Sequence, residues 1–413
     1  MAERKRPNPE IVAKEAATYT KYAAKKANRA RASSGATSFS TADASSSSSP
    51  HGRPSGWTSA IFRSAAGCCP FSETSSIMSS IIVPSPLPSA SDDAESIRKA
   101  LQGWRADKEA LVRILAHRTA AQRSGIRRAY AFLFREPMLN SFRQRLSRTC
   151  PVSLDFWKAL ILWSMDPAER DANLVHGALR QRGDGDYLSV LVEVACASTP
   201  DHLVAVRRAY RALFGCSVEE DLASSSAFQQ PLKKMLVSLV TSYRYGGERV
   251  DEDAARLEAC QLAEAIRKKE PHRDEVVRIV GTRSKAQLGA TLRRYRDDHG
   301  TDFAEDIDSH CSSEFAKALK SAVWCLTSPE KHFAEVIRQS IVGLGTYEDM
   351  LTRAIVSRAE VDMEQIKAEY RARFKTTVTL DVVDDTSFGY KDILLALVGP
   401  EEEGAENMPR CFP

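Results

Sequence analysis

The chain has 413 residues, 43% of them hydrophobic and 27% charged, long and apolar enough to bury a substantial core and not the composition of a wholly disordered protein. No stretch approaches the ~18 apolar residues of a spanning helix, so any contact with a membrane would be peripheral. A formal charge of only +4, with Lys and Arg scattered, excludes the concentrated basic face of a nucleic-acid binder. The nine cysteines show no metal-site spacing and read as reduced intracellular thiols.

Residues 1–90 differ in character from the rest. The run Ser45 to Ser49, further Ser, Ala and Pro, and basic residues such as Arg4, Lys5, Arg6 and Lys25 come with little apolar periodicity, and predict a disordered extension. A basic, Ser-rich leader is also what organelle targeting uses, although Glu3, Glu10 and Glu15 run against it. Met78 offers a second natural start, followed by a short Pro-rich arm, so residues 1–77 can equally be an alternative exon.

From residue 91 the helical signal is steady and repeats. Arg113 to Tyr130, Val192 to Tyr210, Arg278 to Tyr295 and Arg353 to Tyr370 can be laid over one another, with the closing tyrosines 80, 85 and 75 residues apart. A period that long fits several helices per unit. The units are placed at 91–164, 165–248, 249–327 and 328–400, with a tail at 401–413. Each opens on a helix: Asp93 to Leu101, Glu169 to Leu179, Ala255 to Ile266 and Lys331 to Ile341. Asp166–Pro167 and Ser328–Pro329 are helix starts, since proline at the first turn has no N–H to leave unpaired. Leu203, Val206, Tyr210 and Phe214, like Met363, Ile366, Tyr370 and Phe374, step at helical spacing and read as core. Thr376 to Val383 is the best strand candidate.

The segments GTRSKAQLGATLRRYRDDHGTDF (Gly281 to Phe303), LWSMDPAERDANLV (Leu162 to Val175) and CLTSPEKHFAEVIR (Cys325 to Arg338) resemble the annexin family, specifically its plant branch, over residues 90 to 400. The resemblance implies an all-α fold of four repeats, each of five helices, packed into a curved disc. It implies calcium-dependent binding to anionic phospholipid from the cytoplasm, oligomers on the membrane, and a part in stress responses. Actin is a further implied partner, through the Val277-Arg278-Ile279 triplet.

Calcium takes six to eight oxygens, often backbone carbonyls with one bidentate carboxylate, and glycine lets a loop turn its carbonyls to one point. The fourth unit has Ile341-Val342-Gly343-Leu344-Gly345-Thr346 and, forty residues after Gly345, Asp385. Carried over from the family, the carbonyls of Ile341, Gly343 and Gly345 and the Asp385 carboxylate would hold the ion, with Leu344 at the lipid. As bare residues, the two glycines could equally cap one helix and start the next. The first unit has Gly103-Trp104-Arg105-Ala106 and Arg145 at the acid position, which should oppose calcium; Trp104 suits a headgroup region or its own loop. The second keeps Gly183 and Gly185 but has Ser225 at the acid position, at best a weak site. The third, Lys269-Glu270-Pro271-His272, is assigned none.

Enzymatic readings rank below binding. His117 matches a histidine linked to peroxidase activity in plant annexins, but a lone histidine is more often structural. Cys196 and Cys325 match a proposed redox pair, against which stands the plain reading of two buried small residues. No phosphate-binding Gly-x-x-x-x-Gly-Lys loop occurs. The competing reading of the whole is a calcium-independent helical scaffold for protein partners.

Overall fold

The structure is a computed structural model that describes residues 79–401, apart from 104, 150–152, 181–186, 242, 343–345 and 387–388. Its described residues form twenty α-helices and no strand, in four successive sets of five. The first set holds α1 (Ala90–Ala100), α2 (Lys108–Leu115), α3 (Ala120–Phe134), α4 (Met138–Ser147) and α5 (Leu154–Ser164). The second holds α6 (Pro167–Arg180), α7 (Tyr187–Cys196), α8 (Pro200–Phe214), α9 (Val218–Ser224) and α10 (Leu232–Thr241). The third is α11 (Glu252–Arg267), α12 (Asp274–Thr282), α13 (Lys285–His299), α14 (Phe303–His310) and α15 (Glu314–Thr327). The fourth is α16 (Pro329–Ile341), α17 (Glu348–Arg358), α18 (Met363–Phe374), α19 (Val378–Asp385) and α20 (Tyr390–Val398).

One expectation is corrected. The stretch read as a strand, Thr376 to Val383, is helix α19, with the Thr377 hydroxyl accepting from Leu380 N as its N-cap. Its β-branched residues fit because Val378 and Val382, four apart on one helix face, are both fully buried. Packing outweighs propensity, which is a weak prior over eight residues. The leading residues 1–78 lie outside the described part, as do the readings made on them.

The tyrosines that align the repeats have a shared physical task. Tyr130, Tyr210, Tyr295 and Tyr370 are all at most 2% exposed, and each hydroxyl meets a polar side chain eleven residues on, in the fourth helix of its set. Tyr210, Tyr295 and Tyr370 donate to Asp221 at 2.5 Å, Asp306 at 2.7 Å and Asp381 at 2.5 Å. Tyr130 meets Ser141 at 3.1 Å. The hydroxyl lets a large aromatic be buried without an orphaned polar atom, and it staples the third helix to the fourth.

Each third helix also ends on a left-handed residue, two of them glycine (Gly215 and Gly300) and two not (Arg135, φ 54°, and Lys375, φ 57°). First and third helices of a set pack together throughout, and the sets join through second and fifth helices: α7 on α15, α10 on α12, and α20 on α5. The short arm before α1 is tied to the fourth set. Ser80 N donates to Ala359 O at 3.0 Å and its hydroxyl to Leu397 O at 2.5 Å.

Candidate functional site

In the first and fourth sets, the turn between first and second helices meets a residue at or near the end of the fourth helix, and the two versions differ in chemistry. In the fourth set, α16 ends at Ile341 and the chain re-enters helix at Glu348, with Tyr347 N donating to Ser340 O at 2.7 Å to close the turn. Thr346, buried, donates its hydroxyl to the Asp385 carbonyl at 3.0 Å and to its carboxylate at 2.5 Å. That pair ties the turn to the last residue of α19. Gly343, Leu344 and Gly345 lie outside the described residues, but their flanks do not: Val342 and Tyr347 are 53% and 52% exposed. Two apolar side chains held in solvent on either side of one turn were not singled out in the sequence, where nothing marks a valine or tyrosine as exposed.

The first set has Arg145 where the fourth has Asp385: it follows Gly103 by 42 residues, as Asp385 follows Gly343. Its guanidinium reaches across to the turn and donates through Nη2 to the carbonyls of Leu101 and Gly103, the latter at 3.0 Å. Gly103 holds φ 86°, a left-handed value that glycine adopts without strain. Trp104 lies outside the described residues, while Arg105 beside it is exposed.

Of the second set's turn, Gly183 and Gly185 lie outside the described residues. Ser225 caps the end of α9 and offers a hydroxyl, not a charge. In the third set, Lys269 takes the left-handed turn position with φ 56°, and Cys311, 42 residues on, ends α14. Burial pushes the Cys311 thiol up, with the Lys269 ammonium acting against it.

Among the described residues no three His, Cys, Asp or Glu side chains cluster for a metal, as expected where most donors are carbonyls. Asp385 supplies anionic oxygen beside the described flank of the turn at Thr346, the donor type a hard cation takes.

The enzymatic candidates sit differently. His117 is half-buried, its Nδ1 3.0 Å from Ile82 O of the arm, at the edge of a cavity of about 830 Å³ also lined by Asp92, Asp93, Lys99, Arg113 and Arg118. Ile82, Pro84, Pro86, Pro88 and Ile114 supply an apolar side to the same cavity, so its lining is mixed. Cys196 and Cys325 are both buried and free. Burial pushes Cys196 up to about 11 and Cys325 well above the usual thiol range, and each also feels the pair's surroundings, Cys325 being raised further by Cys196. They lie on helices that pack together, α7 and α15, and burial disfavours the thiolate that exchange chemistry starts from. In the actin triplet, Val277 and Ile279 are core residues and Arg278 holds Glu258 at 3.0 Å.

Four successive five-helix sets, with Arg145 and Asp385 at matched positions beside the turns of the first and fourth, define a helical repeat protein. The annexin family profile matches residues 92–148, 257–322 and 332–397. Annexin D3 of Arabidopsis thaliana is 40% identical over 327 residues, covering 78% of this chain and 99% of that protein. Annexin-like protein RJ4 of Fragaria ananassa is 42% identical over 313 residues, covering 76% and 96%. The solved structure of chicken annexin V superposes with a TM-score of 0.68 at 29% identity, covering 78% of this chain and 99% of that one. The chain belongs to the annexin family, whose members generally bind phospholipid with calcium and are mainly not enzymes. No helix among the described residues is long and apolar enough to cross a membrane.

Proposed function

We propose that this annexin binds anionic phospholipid peripherally, from the cytoplasm, through calcium held at the fourth repeat. The carbonyls of Ile341, Gly343 and Gly345 and the carboxylate of Asp385 would hold the ion, lipid phosphate would complete its shell, and Val342, Leu344 and Tyr347 would rest in the headgroup layer. The observation that carries this is the Thr346 hydroxyl on Asp385, which joins the acid to the turn. A single carboxylate gives weak affinity for the ion alone, so ion and lipid tighten each other's binding by linkage.

Arg145, at the acid position of repeat 1, and Lys269, in the turn of repeat 3, support a second, calcium-independent component. That component is electrostatic and weakens as salt screens it. With one good calcium site, adhesion gains little from multivalency on the calcium side. Asp385→Ala is expected to remove most calcium-dependent pelleting with phosphatidylserine vesicles, leaving the EGTA-resistant fraction. A variant that keeps the wild-type calcium response refutes the site, and a wild-type chain with no calcium response at millimolar ion favours the scaffold reading.

A further inference from the structure

Repeat 1 carries a cation of its own where repeat 4 would take one from solution. A calcium ion in such a turn faces the oxygen ends of several carbonyl dipoles. The Arg145 guanidinium does the same, donating to Leu101 O and Gly103 O, and Gly103 turns its carbonyl there at a φ only glycine takes freely. Unlike a metal, this cation stays when calcium is withdrawn, because it is covalently part of the chain.

The guanidinium also borders a cleft of about 330 Å³ between α1, the turn and α4. Arg98, Arg145 and Arg148 line it, against one acid, Glu136. Arg98 is committed to Tyr130 and Glu136, so it is fixed in direction. Arg148, at the end of α4, is exposed. Three guanidinium groups around one opening, with a single carboxylate to offset them, suit a tetrahedral dianion, because their summed positive charge favours phosphate oxygens there.

We propose that Arg145 is a tethered replacement for calcium in repeat 1. It holds the turn's carbonyls inward and, with Arg98 and Arg148, receives the phosphate of an anionic lipid headgroup without metal. This rests on the membrane reading above, because the cleft occupies in repeat 1 the place that the turn and Asp385 occupy in repeat 4.

The full chain is to be pelleted with phosphatidylcholine vesicles, with and without phosphatidic acid, in EGTA at fixed ionic strength. Arg145→Gln keeps an amide N–H for the carbonyls and removes the charge. It is expected to lower EGTA-resistant affinity about fivefold with unchanged thermal unfolding and an unchanged calcium increment from repeat 4. Arg145→Asp is expected to lose the same binding and to gain calcium-dependent binding, since it restores a carboxylate opposite the turn. Arg148→Gln, which leaves the turn untouched, keeps the test valid if Arg145 variants fold poorly, and should weaken the same fraction. Wild-type EGTA binding by Arg145→Gln, no EGTA binding by the wild type, or no calcium gain in Arg145→Asp each overturns the proposal. Competition by inorganic phosphate without any vesicle pelleting overturns the lipid as ligand. Loss of the calcium increment alone, with the EGTA fraction intact, strikes repeat 4 and leaves Arg145 standing.

Discussion

Glu193 shows how single residues join repeats that the chain separates. It lies on α7 of the second repeat, fully inside, where Arg353 of α17 donates to it at 2.8 and 3.1 Å and His332 of α16 approaches at 3.2 Å. Burial would raise its carboxyl, but the Arg353 guanidinium and His332 outweigh that and hold it at about 2. Because the folded value lies below the usual 4.5, the carboxylate's contribution is full above about pH 4.5. It is lost as pH falls from there toward 2. Glu193→Gln, which leaves Arg353 buried without its counter-charge, is expected to cost about 3–5 kcal/mol in urea unfolding. The variant should also lose the wild type's fall in stability across that acid window; a wild-type acid profile in the variant would assign the transition to other carboxylates. None of this pairing was visible in the sequence, since Glu193 and Arg353 are 160 residues apart.

Helix boundaries were legible where local chemistry sets them. Pro167 and Pro329 begin α6 and α16, and the four predicted opening helices all exist, each longer than its apolar stripe. The error at α19 came from reading β-branched residues without knowing that Val378 and Val382 would find a core. Third-helix ends carry a different lesson. Repeats 2 and 3 stop on Gly215 and Gly300, whereas repeats 1 and 4 force Arg135 and Lys375 into the same left-handed turn. A side chain there crowds the backbone, at roughly 1 kcal/mol. Lys375→Gly is therefore expected to stabilise the protein by about that amount in thermal unfolding, even though its Nζ bond to Ala372 O goes with it. A destabilised variant would mean that this bond outweighs the strain.

At the scale of the whole described unit, the first and fourth repeats are joined twice over. α20 packs on α5, and the arm crosses to the fourth repeat through Ser80. Gly399, just after α20, makes room for that crossing: at φ 73° a Cβ would sit 2.7 Å from the Ser80 carbonyl oxygen. Gly399→Ala is expected to displace the arm, lowering stability by about 1–3 kcal/mol and speeding proteolysis between residues 79 and 89. Unchanged protease resistance in the variant would show the arm to be held elsewhere. His117 belongs here too, because its contact with Ile82 O makes it part of the arm's seat.

The sequence by itself determined what repeats by chain position: four units, their tyrosines, the glycine turn with its acid, and the family these features mark. Such signals survive because each is local, set by backbone freedom or by helical spacing within one unit. Only the tertiary structure decided what each turn meets across its repeat. Arg145 could be read from the chain as a charge hostile to calcium, but that it occupies the turn's carbonyls depends on two helices closing over 42 residues, a distance no local rule of the chain encodes.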